Sequence, residues 1–175
     1  DIPLEYEARD PAGRLEYVLV ARRAQPEGQG RYHLDHPKAT YYLRNGELVV
    51  VTAEAGALRV DQLNNGPQKM RVAGGSLSGA VQLTVGPANT FLDNDDTRQP
   101  GQIRASFTKP IEFNYEDRTI ESLGSVQVAS DQISFDGANL LLTLNMDQKR
   151  IEFMRIEPQQ GGGRIVLKKV GQGEL

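Results

Sequence analysis

Apolar and polar residues alternate along several segments of this chain. Residues 140–146 show the pattern most plainly, because only Leu141 interrupts an alternation of leucine or methionine with other side chains. Residues 81–85, 111–115 and 133–135 repeat it. Successive side chains of an extended chain point to opposite faces, so a period of two places the apolar side chains on one face. These segments are therefore predicted to be β-strands that each bury a single face.

Two dipeptides predict tight turns between such strands. Asn45-Gly46 separates residues 41–43 from residues 47–51, and Asp136-Gly137 separates residues 133–135 from residues 140–144. Asn-Gly and Asp-Gly adopt positive φ at little steric cost, which two-residue hairpin turns require. Both dipeptides are therefore predicted to connect neighbouring antiparallel strands.

Three segments depart from regular alternation. The apolar spacing of residues 14–24 is compatible with a helix, but their aromatic and β-branched residues favour a strand, which we predict. The alternation changes phase inside residues 151–156, which predicts a β-bulge. Residues 159–164 include three consecutive glycines, and they predict a flexible joint before a last strand at residues 164–170.

The whole pattern predicts an all-β fold built from antiparallel strands in one domain of 175 residues. No change of composition divides the chain. A weak internal echo relates Gly79-Ala-Val-Gln-Leu to Gly124-Ser-Val-Gln-Val. The echo is compatible with two fused modules, at about residues 10–86 and 103–170, and equally with chance, since glycine is common where strands begin or bend.

The composition narrows the range of functions. The chain has 20 basic and 23 acidic residues, which give a formal net charge of −3 at pH 7. Nucleic-acid grooves and polybasic membrane patches need surplus positive charge, so this balance argues against both. The absence of cysteine excludes disulfides, thiolate metal ligands and cysteine nucleophiles. No apolar run reaches the length of about 18 residues that a transmembrane helix needs.

The candidate metal ligands are poorly placed. His33 and His36 are three positions apart, so an extended strand directs them to opposite faces. Residues 93–101 are rich in aspartate and predict a solvated loop. An EF-hand loop that began at Asp93 would need glycine and glutamate where this chain has Arg98 and Arg104. We therefore predict no metal site and no other cofactor.

The sequence carries no motif of nucleophilic catalysis, because Gly-x-Ser-x-Gly does not occur. Glu112, Glu116, Asp117 and Glu121 leave open a carboxylate pair of the kind that glycoside hydrolases use. Sugar-cleaving grooves commonly present aromatic platforms, however, and the chain has no tryptophan and 6% aromatic residues. We predict that the protein is not an enzyme, and a polysaccharide hydrolase remains the alternative in that class.

Five short motifs occur in an order that resembles a known family. Residues 10–24 end a strand with alanine and basic residues, residues 32–39 contain Leu-x-x-Pro, and residues 48–56 end with Thr-Ala-Glu-Ala-Gly. A Gly-x-Val step within residues 123–128 and a predicted hairpin at residues 131–137 follow. This order resembles the periplasmic lipopolysaccharide-export proteins of the LptC and OstA (LptA-like) superfamily, over most of the chain.

The resemblance implies an elongated β-jellyroll that is opened into a twisted trough of antiparallel strands, with acyl chains held on its inner face. It implies a periplasmic location, with an anchoring segment ahead of Asp1 as an open alternative. It also implies a bridge module that carries lipopolysaccharide or a related amphiphile toward the outer membrane. The implied partners are other proteins of the family or further copies of the chain, paired through sheet edges at residues 1–7 and 164–170.

Apolar lining alone suffices for such a carrier, since burying an acyl chain of about a dozen carbons yields on the order of 10 kcal/mol before entropic costs. The predicted lipid-binding residues are the inward apolar positions of the predicted strands: Leu48, Val50, Leu58, Val60, Val81, Leu83, Ile111, Phe113, Ile133, Phe135, Leu140, Leu142, Leu144, Ile151 and Phe153. The same residues are compatible with an ordinary closed core. The alternative function is therefore a structural β-module of the cell envelope without a lipid ligand.

Overall fold

A computed structural model describes residues 2–62, 70–92, 98–159 and 165–168 of the chain. These residues form fourteen strands and one short 3-10 turn at Ala88–Phe91. The strands are β1 Ile2–Arg9, β2 Leu15–Gly28, β3 Arg31–Asp35, β4 Lys38–Tyr42, β5 Glu47–Thr52, β6 Ala55–Gln62, β7 Met70–Ser78, β8 Gln82–Pro87, β9 Ile103–Phe107, β10 Ile111–Asn114, β11 Thr119–Ala129, β12 Ser134–Asn145, β13 Arg150–Pro158 and β14 Ile165–Lys168. The prediction of an all-β fold is confirmed. None of the described residues belongs to a helix that could cross a membrane.

All fourteen strands join one sheet, and every pairing between them is antiparallel. The order is β10-β7-β6-β3-β2-β4-β5-β8-β9-β11-β12-β13-β14, with β1 on β2. Because β10 pairs with β11 as well as with β7, the path from β10 to β11 returns on itself. The single sheet therefore curves into a ring, as a jellyroll or trough requires.

The ring arises because long extended stretches of chain bend halfway. The bends lie at residues 36–37, 53–54, 79–81, 108–110 and 123–124, and together they form what we call the crease. Backbone hydrogen bonds continue through it: His36 N donates to Glu54 O (2.9 Å), and Glu54 N donates to Gly79 O (2.9 Å). The crease divides the sheet into a first layer (β4, β5, β8, β9) and a second layer (β3, β6, β7, β10).

Three long strands belong to both layers. In β2, residues 17–20 pair with β4 of the first layer and residues 23–28 pair with β3 of the second. In β11, residues 126–129 pair with β9 and residues 119–121 pair with β10. β12 follows β11 along both of its halves. These strands join the layers at the two ends of the ring, and the predicted strand at residues 14–24 is confirmed as β2.

The crease explains the two glycines of the internal echo. Gly79 has φ of +74°, a conformation that residues with a Cβ rarely adopt. At Gly124 the pairing of β11 with β12 shifts register, and a Cβ there would lie 2.2 Å from Lys109 Cγ. Both glycines thus stand where the sheet bends. The two-module division remains a prediction.

Of the two predicted hairpin dipeptides, Asn45-Gly46 connects β4 to β5 as expected. The prediction of a hairpin turn at Asp136-Gly137 is wrong. Both residues lie inside β12, where Asp136 pairs with Gln127 and Gly137 pairs with Val126. The glycine serves close packing instead of a turn, because a Cβ at Gly137 would lie 2.5 Å from Ile156 Cγ2.

The end of the chain follows the sequence pattern more closely. In the pairing of β12 with β13, Thr143 opposes Phe153 and Leu144 opposes Ile151, so the predicted bulge is confirmed, with Glu152 as the extra residue. The predicted last strand is present as β14. The triple glycine and residues 93–97 of the predicted aspartate-rich loop lie outside the described residues.

The core lies between the layers. Cross-strand partners share a face, so Tyr41, Val49 and Val85 point inward together, as do Ala39, Val51 and Leu83. The most deeply buried large side chains, each at most 2% exposed, come from both layers and from β12: Leu34, Val49, Val51, Ile111, Val126, Leu140 and Leu142. The centre of the ring is therefore filled by the protein's own side chains.

Candidate functional site

A cleft of about 230 Å³ opens between the two layers, on the side away from the crease. One wall comes from β1, β2 and β4, and the other comes from β7, β10, β11 and β12. Its lining is mainly aromatic and aliphatic, with three charged residues: Tyr6, Ala8, Glu16, Tyr17, Tyr41, Arg71, Val72, Phe113, Asn114, Tyr115, Arg118, Thr119, Ile120, Leu144 and Met146.

Five aromatic rings form the centre of the cleft wall. The ring centroids of Tyr17 and Tyr115 are 4.6 Å apart in a stacked arrangement, and this contact joins the two walls. Tyr6 and Tyr41 pack on Tyr17 at 5.8 and 5.7 Å, and Phe113 meets Tyr115 edge-on at 5.9 Å. Such aromatic pairs stabilise a structure by about 1 kcal/mol each beyond simple burial. These rings help to close the side of the ring opposite the crease, which we call the open side.

The three buried tyrosines of this cluster stay uncharged. Burial raises the pKa of Tyr17, Tyr41 and Tyr115 above the usual value for a phenol. The hydroxyls of Tyr41 and Tyr115 lie 3.4 Å apart across the cleft, a long hydrogen bond that either can donate. This part of the wall is therefore neutral at physiological pH, which suits an apolar ligand.

The charged residues of the lining lie toward solvent. Arg71 and Arg118 are exposed, and Glu16 is partly exposed. Arg71 is 3.9 Å from Asp61, and Arg118 is 3.4 Å from Asp147, in pairs whose side chains are all at least 41% exposed. Exposed ion pairs of this kind contribute at most about 1 kcal/mol, so both guanidinium groups can exchange partners at little cost.

The aromatic cluster separates the cleft from the deep interior. Beneath it lies a void of only about 10 Å³, which shares Tyr41, Phe113, Tyr115 and Ile120 with the cleft. A space of that size holds at most about one water molecule. The cleft is therefore shallow, and a ligand that reached further inward would have to displace aromatic rings.

The predicted lipid-binding residues divide into three groups. Eight belong to the buried core: Leu58, Val81, Leu83, Ile111, Leu140, Leu142, Leu144 and Ile151. Three more are partly buried and pack against it: Val60, Phe113 and Phe135. The remaining four are not part of this core cluster, although Val50 is itself buried, at 7% exposed: Leu48, Val50, Ile133 and Phe153. Only Phe113 and Leu144 line the cleft, and lipid contact stays a prediction for the whole set.

Three of those four lie on the outer face of the sheet. Val50 pairs with Thr40 and Thr84, and it lies between the inward residues of its strand. Leu48 lies on the same face as Val50, and Phe153 pairs with Thr143, which lies between the inward Leu142 and Leu144. For β5 the sequence does not indicate which residues face outward, because residues 48–51 are four consecutive aliphatic residues with no alternation. Ile133 lies in the turn between β11 and β12 and is 60% exposed.

Most of the aromatic wall is absent from the predicted lipid-binding set. Tyr17 and Tyr41 each stand two positions from a buried neighbour on the same strand, Leu19 and Ala39 respectively. The period of two therefore predicts that both tyrosines point inward. Tyr115 continues the alternation of residues 111–115, and Tyr6 alternates with Glu5 and Glu7, so both carry the same signal. Tyr115 follows the end of β10, and its contact with Tyr17 joins residues 98 positions apart in the chain.

Other candidate residues lie elsewhere. His33 and His36 are exposed, and His36 Nδ1 lies 2.7 Å from Asp35 Oδ1. Glu112 and Glu121 oppose each other on the outer face of the second layer, in a polar groove of about 560 Å³ that also contains Asp117. The groove is larger than the cleft, but it is the cleft that is apolar. No cluster of three potential metal ligands occurs among the described residues.

No protein-family model matches this chain, and no curated protein matches its sequence significantly.

Proposed function

We propose that this chain is a non-enzymatic lipid-binding module of the bacterial cell envelope. It holds the acyl chain of lipopolysaccharide or a related amphiphile between the layers of its folded sheet. The observation that supports this best is the cleft, whose wall is aromatic, aliphatic and neutral while its charged residues lie toward solvent. The sequence resemblance to the LptC and OstA superfamily supports the same class and a periplasmic location.

The size of the cleft limits what it accepts. At about 30 Å³ for a group the size of water, a volume of about 230 Å³ holds roughly eight methylene-sized groups. Burying these yields roughly 6 kcal/mol before entropic costs, less than a complete acyl chain would give. The cleft thus takes the end of a chain, and Phe113 and Tyr115 must move if more of it is to be buried.

The ends of the sheet support the second part of this proposal, pairing with neighbours. Among the described strands, β1 pairs only with β2, and β14 pairs only with β13. Each therefore has backbone groups on one side that can extend a sheet. These two strands contain the terminal segments that the sequence predicted as edges. Other proteins of the proposed family, or further copies of this chain, are the proposed partners.

The test is the binding of a fluorescent dodecanoic acid to the purified protein. Ala8→Trp places a large side chain in the cleft, so we expect it to weaken binding by about tenfold. Ala57→Trp is the matched control, because Ala57 is exposed on the outer face of the second layer. Equal affinities for both variants and the original chain, at unchanged melting temperatures, would exclude the cleft as the binding site.

A structural β-module without a ligand is the second candidate. It is favoured by the closed interior, where Leu34, Ile111 and Leu142 are at most 1% exposed. It predicts that dodecanoic acid neither binds nor raises the melting temperature. A ligand that binds only the native state raises that temperature in a concentration-dependent way, so one thermal titration separates the two candidates.

A further inference from the structure

Three turns meet on the open side of the ring, around Lys149. The β12–β13 turn at residues 146–149 contains this lysine. Its ammonium Nζ lies 3.0 Å from Asp10 Oδ2 and donates to Leu15 O at 3.2 Å, so it reaches the β1–β2 turn. Its carbonyl oxygen accepts a hydrogen bond of 2.7 Å from Arg44 N in the β4–β5 turn. One residue therefore connects β12–β13 to two other turns.

This contact is shielded from water. The side chains of Lys149 and Asp10 are 11% and 9% exposed. Asp10 Oδ1 accepts a hydrogen bond from Arg14 N at 2.8 Å, and Oδ2 accepts one from Arg14 Nε at 2.9 Å. These donors together hold the pKa of Asp10 well below its usual range. Asp10 is therefore ionised throughout the physiological pH range, and we call its ion pair with Lys149 the clasp.

The clasp borders the cleft directly. Ala8 lies two residues before Asp10, Glu16 lies one residue after Leu15, and Met146 lies in the same turn as Lys149; all three line the cleft. The cleft wall formed by β1, β2 and β4 is thereby joined to the wall that contains β12. Separation of these turns would widen the cleft without breaking any pairing at the crease.

The backbone at Lys149 points to a role for its side chain. Its φ is +48°, in the left-handed region that favours glycine or asparagine. A lysine at such a position lowers backbone stability relative to glycine. Its ammonium, however, satisfies Leu15 O and Asp10 at the contact between turns, a role that glycine could not fill.

We propose that the clasp gates the cleft: the β12–β13 turn must separate from the β1–β2 and β4–β5 turns before an acyl chain is taken up beyond the shallow cleft. This inference rests on the proposed lipid-binding function. A partly shielded ion pair suits a gate, because its Coulombic attraction is partly offset by the cost of desolvating the charges, so it orients the turns without making separation prohibitive.

The absence of cysteine allows one variant to test both states of the gate. The backbone hydrogen bond between residues 44 and 149 brings their main chains together, so Arg44→Cys/Lys149→Cys can form a disulfide. The oxidised variant holds the β4–β5 and β12–β13 turns together through the disulfide. The reduced variant has neither the disulfide nor the clasp, because Lys149 is replaced. We expect fluorescent dodecanoic acid to associate about tenfold faster with the reduced form than with the original chain, a change of roughly 1.4 kcal/mol in the barrier. The oxidised form should associate more slowly than either.

Single substitutions provide the controls. Lys149→Met keeps most of the side-chain length and removes the charge, so it should accelerate association as the reduced form does. Arg14→Met removes another cation beside Asp10 but no bridge between turns, and should leave the rate unchanged. If Lys149→Met melts at a lower temperature while its association rate equals that of the original chain, the pair is a structural staple and the gate is refuted.

Hydrogen exchange tests the gate without a ligand. Lys149→Met should accelerate exchange of the Arg44 amide and leave the His36 amide, at the crease, unchanged. Unchanged exchange at Arg44 would overturn the gate. If exchange accelerates but neither the original chain nor any variant binds dodecanoic acid, the proposed lipid-binding function fails while the opening motion stands.

Discussion

The crease and the open side close the same ring in different ways. At the crease the backbone ladder is continuous, with Ala53 N donating to Pro37 O at 3.2 Å and Phe107 N donating to Val81 O at 3.0 Å. On the open side the closure depends on the aromatic cluster and the clasp, which join segments distant in sequence: Asp10 and Lys149 are 139 positions apart. The crease is thus fixed by a continuous backbone ladder, whereas the open side is fixed by side-chain contacts together with the backbone hydrogen bond from Arg44 N to Lys149 O.

This difference indicates where the molecule can change shape. Opening the crease would break several backbone hydrogen bonds, and those between buried residues, such as Ala53 N to Pro37 O and Phe107 N to Val81 O, are costly to leave unsatisfied. Opening the other side exchanges aromatic contacts, one ion pair and the two hydrogen bonds that Lys149 makes with Leu15 O and Arg44 N for contacts with water or ligand. A carrier that admits lipid between its layers would therefore open at the cleft and bend at the crease. Substitutions in the two regions should differ accordingly.

The largest expected effect separates the deep interior from the cleft. Leu142 is 1% exposed in the core, so Leu142→Ala should lower the free energy of unfolding by about 3 kcal/mol. Met146 is partly buried beside the cleft, and Met146→Ala should lower it by only about 1 kcal/mol, because one side of this residue already faces open space. Chemical denaturation measures both. Equal losses would show that in solution the cleft is packed as tightly as the core.

A second comparison places the same substitution at the crease and on the open side. Gly79 at the crease and Gly13 in the β1–β2 turn both have φ near +80°, at +74° and +81°. A Cβ at Gly79 would lie 2.6 Å from Glu54 Oε2, whereas a Cβ at Gly13 meets nothing within 4 Å. Gly13→Ala should therefore cost about 1 kcal/mol from backbone strain alone, and Gly79→Ala about 2 kcal/mol. Denaturation midpoints that coincide would contradict the idea of a crowded crease.

The sequence predicts the strands well because their signal is local. Alternation within residues 81–85, 111–115 and 140–146 depends only on neighbouring positions, and all three segments are strands. Asp136-Gly137 misled for the same reason: a dipeptide typical of turns stands inside β12, where Ile156 leaves no room for a larger side chain than glycine at position 137. Tertiary packing decided that position, and it has no local signature.

The candidate site was less predictable. Phe113 was found from its alternating strand, but its contact with Tyr115, and that of Tyr115 with Tyr17, depends on how the layers face each other. Asp10 and Lys149 each lie in a turn, where charged residues are ordinary. Which of the residues from Leu48 to Val51 point inward is set by the pairing of β5 with β4 and β8. Features that depend on ring closure cannot be obtained from a local pattern.

A smaller effect, present at neutral pH and lost in acid, tests the contribution of the clasp. The folded-state pKa of Asp10 is depressed by its hydrogen bond from Arg14 N and by Lys149. A depressed pKa stabilises the protein above the ordinary value of 3.8, and this contribution is lost as the pH falls below that value toward the folded-state pKa. Asp10→Asn should therefore be less stable than the original chain at pH 7, and the difference should shrink at pH 3. A difference independent of pH would show that the carboxylate charge contributes nothing.

The smallest expected effect concerns the hydroxyl pair that bridges the cleft. Because Tyr41 Oη and Tyr115 Oη are 3.4 Å apart, their hydrogen bond is weak, and a double-mutant cycle of Tyr41→Phe and Tyr115→Phe should give a coupling free energy below about 0.5 kcal/mol. The rings themselves remain in both variants, so stacking on Tyr17 is preserved. A coupling above about 1.5 kcal/mol would instead make this bridge as strong as a good buried hydrogen bond. The open side would then be closed as firmly as the crease, and the cleft would not be the place where the layers part.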